Sequence, residues 1–208
     1  MVRDVLYLGS ESRARQHLLD LAQIQYRVLA HGSDERREAE YLSFDEEVLA
    51  IARHKMQTIK LPDPLTAGTE YLFGCTADTL IRNPTTGRIF EKPIVRADAG
   101  SMLTEERTGA VQVVTGCSLK KFVWREGAWR TDKMAHWTNS ALVEFCVDQD
   151  SIDRYLQALP IALHCSGAGV VEDHGLSYLK SINGSYTAVI GLPLYELRQE
   201  LKKMVFKF

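Results

Sequence analysis

Short apolar runs alternate along this chain with stretches whose apolar residues recur at helical spacing, and that alternation restricts the fold more than any other feature. DVLYLG (4–9), YRVLAHG (26–32), YLFGCTA (71–77), VQVVTGCSLKKFVW (111–124) and ALVEFCV (141–147) read as strands. Helices are predicted over about 13–22, with Leu18, Leu19 and Ala22 on one side, near 96–107, over 150–159 with Asp150 as cap, and from Pro193, with Leu194, Leu197 and Leu201 facing the core. The best marked helix opens at SFDE (43–46), where Ser43 and Glu46 form a capping box. Phe44, Val48, Ile51, Ala52, Lys55 and Ile59 fall on its apolar stripe. SDERREAEYL (33–42) and LPDPLTAGTE (61–70) read as loops, 81–93 as a hairpin or loop turning at NPTTGR, REGA as the turn of an antiparallel meander, and TAVIGLPL as strand-like. Interleaved helices and strands place the chain in the α/β or mixed α+β class.

Length and charge narrow the function. A chain of 208 residues makes one large domain or two compact lobes. A net charge of −2 argues against a general nucleic-acid binder, while permitting a local basic pocket. No apolar run approaches membrane-spanning length, and MVRDVLYL reads as a strand, not a signal peptide. Cys75, Cys117, Cys146 and Cys165 are widely spaced with no CxxC pair, the pattern of reduced thiols in a cytoplasmic protein.

Several residues depart from what their local structure asks for. In LYLGSESRARQHLL (6–19) a strand runs into Gly9, Ser10 and Ser12, and Arg13 and Arg15 stand where a helix begins. The serines suit a cap and the arginines suit a surface, but a helix start disfavours cations, so an anion between them is the alternative. Lys55 lies on an apolar stripe. Its stem either covers apolar surface with the ammonium in water, or its ammonium meets an anion. If it meets an anion in a cleft, Lys55→Met is expected to preserve or slightly raise stability, since Met suits an apolar stripe, while turnover collapses; if it only covers surface, activity should survive. Asp78 follows the apolar run YLFGCTA and is expected at the end of a strand, where α/β sheets hold ligands; a turn aspartate is the plain alternative. Glu35, Glu172 and Lys92 are weak signals singly. The glycines of CSGAGVVEDHG (165–175) form neither a dinucleotide fingerprint nor a Walker loop, and the histidines show no metal-binding pair. Together, Arg13, Arg15, Lys55 and Lys92 are cations for phosphates, and Glu35, Asp78 and Glu172 are carboxylates for Mg²⁺, the combination that cleaving a nucleotide polyphosphate needs.

In order along the chain, these pieces resemble the Maf family of nucleoside triphosphate pyrophosphatases. Ser10, Ser12 and Arg15 match its S-x-S-P-R-R helix start, Asp34 and Glu35 its D-E, Ala52 and Lys55 its A-x-x-K, and Ala77, Asp78 and Thr79 its A-D-T. Lys92 and Pro93 match its K-P, Thr115 and Gly116 its T-G, and 167–175, Gly184 to Tyr186 and Val189 to Leu194 its closing pattern. Arg13 replaces the family proline and Ala14 the first of its two arginines. Glu172 and HCSG look like the 7-methyl-GTP branch, whereas TADT is the dTTP/UTP form.

The resemblance implies a strongly curved mixed sheet flanked by helices, in a single domain (1–208) whose two lobes border a deep cleft, often dimeric. It implies hydrolysis of a modified or pyrimidine nucleoside triphosphate to the monophosphate and pyrophosphate, with Mg²⁺ or Mn²⁺. Asp78, Lys55 and Lys92 would be catalytic, Ser10, Ser12, Arg13, Arg15 and Glu172 would bind substrate, and Asp78 and Glu35 would hold metal. The alternatives are a catalytically weak regulator of cell division and septum formation, or a nucleotide- or RNA-binding module without hydrolysis. Stable nucleic-acid or membrane binding is not expected.

Overall fold

The structure, a computed structural model, describes residues 3–30, 32 and 43–208. The charged loop predicted at 33–42, with Asp34 and Glu35, lies outside the described residues. The first half runs β1 (Leu6–Leu8), α1 (Arg13–Leu21), β2 (Tyr26–Val28), α2 (Phe44–Thr58), α3 (Pro64–Ala67), β3 (Tyr71–Arg82), β4 (Ile89–Phe90) and α4 (Arg96–Glu106). The second runs β5 (Val111–Arg125), β6 (Ala128–Phe145), α5 (Ile152–Ala158), β7 (Leu179–Gly184), α6 (Tyr186–Ile190) and α7 (Leu194–Lys203). The seven strands form one sheet in the order β2-β1-β3-β5-β6-β7, with β4 on β3. β1 lies parallel to β2 and β3, whereas β4 on β3 and β7 on β6 are antiparallel. The fold is thus the mixed α/β class that the interleaved pattern predicts.

Local chemistry accounts for most boundaries. The capping box at the start of α2 is present, with Ser43 Oγ accepting from the Glu46 N–H and the Glu46 carboxylate accepting from the Ser43 N–H. β5 and β6 are joined by Glu126 and Gly127, whose φ values of 53° and 75° suit the twisted two-residue turns of antiparallel hairpins. Gly116 on β5 passes α2 so closely that a Cβ there would lie 2.9 Å from Leu49 Cα.

Four expectations need correction. β3 does not end near Ala77: its buried stretch stops there, but ladder pairing with β4 carries the strand to Arg82, so Asp78 lies within it. Asp150 does not cap α5; it sits in a 3-10 turn (Gln149–Ser151) and Ser151 holds the cap position. TAVIGLPL is not a strand. The β-branched residues favour one locally, but Ser185 Oγ accepts from the Ala188 N–H and α6 forms instead. Finally, 61–70 contains a helical turn, α3, capped by Asp63 and closed by left-handed Gly68.

The chain packs as two compact units. One comprises Met1–Asp78, Thr115–Thr138 and Gly191–Phe208, and its core includes Tyr7, Met56, Leu72 and Phe122. The other comprises Thr79–Val114 and Asn139–Ile190, with a core that includes Phe90, Leu103, Val113, Phe145 and Tyr155.

Candidate active site

The first unit holds two polar groups built by neighbouring elements. After β1, Gly9 approaches β3 closely: a Cβ there would lie 2.7 Å from Thr76 Cγ2. That approach delivers Ser10 and Ser12 to the start of α1. Ser12 Oγ caps the helix by accepting from the Arg15 N–H at 3.4 Å. Ser10 Oγ accepts from Arg15 Nη1 at 2.9 Å, and Arg15 Nε donates to the Gly191 carbonyl at 2.8 Å. Ser10 and Arg15 are buried, so the guanidinium is fixed beside a helix start by oxygen acceptors and does not swing in solvent. A fixed guanidinium at a helix start is a group suited to recognising anions. Arg13, the first residue of α1, is exposed.

The second group joins α2 to β3. Thr76 Oγ1 donates to the Ala52 carbonyl at 2.7 Å, which sets the register between helix and strand. Three residues on along α2, about 4.5 Å of rise, stands Lys55, and two on along β3, about 6.6 Å, stands Asp78. Their side chains meet: Lys55 Nζ donates to Asp78 Oδ1 at 2.6 Å, with the side chains only 4% and 13% exposed. The lysine on the apolar stripe therefore does not reach for water; it meets an anion, and that anion is the aspartate the sequence also singles out. Thr76 and the Gly191 carbonyl position these groups, and the sequence pattern does not mark either of them. A threonine in an apolar strand was the only signal available for the first, and a backbone carbonyl leaves none.

Lys92 and Glu172 belong to the second unit. Lys92 is exposed and Glu172 half-buried. Both act on the half-buried Cys165 thiol: burial raises its pKa, Glu172 raises it further and Lys92 opposes. The Tyr186 hydroxyl is also raised, by burial first and then by Glu172 and Asp173, and it donates to the Val171 carbonyl at 3.4 Å. Lys92, Cys165, Glu172 and Tyr186 thus form one neighbourhood. Cys75, deep in the first unit, is pushed up to about 12 by burial, against the opposing pull of Arg15, so it is an inert thiol.

No cluster of three or more His, Cys, Asp or Glu suited to a metal occurs among the described residues. Asp78 contributes a single carboxylate. That is a poor resident metal site, but it suits Mg²⁺, which is commonly bound through one or two carboxylates together with substrate phosphates.

A serine-held arginine at a helix start and a buried lysine–aspartate pair, both in the first unit, mark this as an α/β protein with fixed charges built into its fold. Residues 5–204 match the Maf-like protein family, and the chain belongs to it. Among its relatives, the dTTP/UTP pyrophosphatase of Bacillus velezensis is 28% identical over 204 residues, covering 97% of each chain. The dTTP/UTP pyrophosphatase of Bacteroides fragilis is 30% identical over 201 residues, 96% of this chain and 95% of the relative. The nucleoside triphosphate pyrophosphatase of Parasynechococcus marenigrum is 29% identical over 199 residues, 95% of each.

Proposed function

We propose that this chain is a nucleoside triphosphate pyrophosphatase. The observation that carries the reading is the buried Lys55–Asp78 pair, placed by the Thr76–Ala52 bond on a family member with pyrophosphatase-named relatives along nearly its whole length. In this reading Arg15, set by Ser10 and the Gly191 carbonyl, grips the triphosphate, and Ser12, Arg13 and Lys92 add to the grip. Asp78 orients a water and takes up its proton. Lys55 keeps that carboxylate aligned and offsets charge as it develops on the phosphoryl oxygens, the largest usual source of rate in such chemistry. The water oxygen forms a bond to the α-phosphorus, the bond from that phosphorus to the α–β bridging oxygen breaks, and monophosphate and pyrophosphate leave. A divalent cation, Mg²⁺ or Mn²⁺, would be held by Asp78 and Glu35 and would supply neutralising charge to the phosphates.

We infer a pyrimidine triphosphate, dTTP or UTP, as substrate, on the names of the relatives and the TADT form around Asp78. A second reading, 7-methyl-GTP, rests on Glu172: a carboxylate accepts hydrogen bonds from guanine's N–H groups and favours a positively charged ring, but repels the carbonyls of thymine and uracil. This reading takes the chain as a single catalytic domain, cytoplasmic in keeping with its four free thiols, and as a homodimer. A catalytically weak regulator of cell division and septum formation is the contrasting role. Pyrophosphate release from dTTP, UTP, 7-methyl-GTP and the common triphosphates, with Mg²⁺ or Mn²⁺, tests all of these. Release from none of them would leave the regulator or a binding module.

A further inference from the structure

One acidic residue in the second unit occupies a place where its ordinary form does not belong. The core face of α4 is Ala99, Met102, Leu103 and Glu106, spaced at three and four residues, so Glu106 fills the last apolar position of the stripe. It is 3% exposed, and its Oε1 has no hydrogen-bond partner among the described residues. Three effects oppose its charge. It is buried, the neighbouring Glu105 carboxylate repels it, and it stands at the negative end of its own helix. Burial, then Glu105, hold its carboxyl well above the usual carboxylate range, which favours the uncharged form.

What lies on this carboxyl is the glycine-rich turn. A Cβ added at Gly167 would lie 2.3 Å from Glu106 Oε1, and one at Gly169 3.1 Å from Oε2. The turn is left-handed at two successive residues, Gly167 (φ 73°) and Ala168 (φ 62°), which is costly for the alanine and persists only where surroundings enforce it. The enforcing groups come from both sides. Glu106 lies against the glycines, while the Tyr155 hydroxyl from α5 donates to the Ala168 carbonyl and accepts from the Val170 N–H, both at 2.9 Å. The Gly167 N–H donates to the carbonyl of Glu91, the residue before Lys92, at 3.2 Å. On the other side the chain leaves the buried Val170 and reaches Glu172 two residues later.

We propose that the Glu106 carboxyl is a positioning group on which the Gly167–Gly169 turn rests, and that through this turn it sets where Lys92 and Glu172 present their charges to substrate. The proposal rests on the assignment of Lys92 and Glu172 to nucleotide binding. Only an uncharged group of this shape fits, because an ionised carboxylate would draw water into the core and lift the turn. The groups facing Glu106 are Glu105 from its own helix and the Tyr155 hydroxyl from α5. Residues 167–169 bring no titratable side chain, Cys165 precedes them, and His164 in the 3-10 turn Pro160–His164 is exposed.

The test uses the full chain as wild type, Glu106→Gln and Glu106→Ala, and reads two things: steady-state kinetics on whichever triphosphate is turned over, and hydrogen exchange of peptides spanning 165–172 and 89–93. Glu106→Ala is expected to raise KM about tenfold with kcat little changed and to speed exchange in both peptides. Glu106→Gln, uncharged and of the same shape, should restore both. If Glu106→Ala does not fold, a pH series decides. Exchange at 165–172 in the wild type should accelerate with alkalinity beyond the intrinsic chemical rise, and in Glu106→Gln it should not. If the wild type hydrolyses no triphosphate, the proposed function fails, while exchange still decides whether Glu106 supports the turn. Unchanged exchange in Glu106→Ala, or an unchanged KM in an active protein, overturns the proposal.

Discussion

Replacing Lys55 with Met separates the reading of α2 from its sequence pattern and the reading from its packing. On the apolar stripe alone the substitution looks harmless, even favourable. The ion pair reverses this. At 2.6 Å and an effective dielectric constant of about 20 the gross attraction is about 6 kcal/mol, most of it offset by the desolvation of both groups. Removing only the cation leaves Asp78, 13% exposed, without its partner, and breaking such pairs costs about 3–5 kcal/mol. For a chain of 208 residues this corresponds to a melting temperature lower by about 6–20 °C. The assay is thermal and urea unfolding of Lys55→Met, Asp78→Asn and the double variant at one pH, with pyrophosphate release measured well below each melting point. The double variant should regain at least half of the stability lost in Lys55→Met, since no uncompensated charge remains, yet stay inactive. If the single losses add to within about 0.5 kcal/mol, the two side chains do not interact in solution and the site as described is wrong. If folded Lys55→Met turns over substrate at the wild-type rate, the pair is structural and Lys55 has no part in the chemistry.

The other predictions concern the remaining parts of the site and its frame. Asp78→Asn should fold and lose about two or more decades in kcat, because the amide cannot take up the water's proton; near-normal turnover would remove Asp78 from the mechanism. If Glu172 faces the base, as the 7-methyl-GTP reading has it, Glu172→Gln should shift preference from guanine-type towards pyrimidine triphosphates, which a substrate panel would show; a uniform loss across substrates would place Glu172 with the phosphates or metal instead, and no change in either would leave it a turn residue. Gly116→Ala should cost about 1–3 kcal/mol in urea unfolding, since its Cβ would meet the Leu49 backbone at 2.9 Å and backbone yields little; a neutral result would mean α2 can move away from β5.

The sequence by itself determined the fold class and the start of α2 at its capping box. The capping box at Ser43, the apolar stripes of α2 and α7 and the turn at Glu126–Gly127 are decided within a few residues of chain, so they are legible without a partner. The errors fell where a pairing or a cap outweighs the preference of the residues themselves. Pairing with β4 extends β3 past its last apolar residue, and a Ser185 cap turns a β-branched run into a helix. The pattern marked Lys55 and Asp78 separately as anomalies, but their union depends on one hydroxyl, Thr76, setting how far a helix slides along a strand. In the same way, the sequence presents Glu106 as one more acid in a charged helix end. Its distinct state arises only because α5 and a glycine turn close over it and remove the water that would have stabilised its charge.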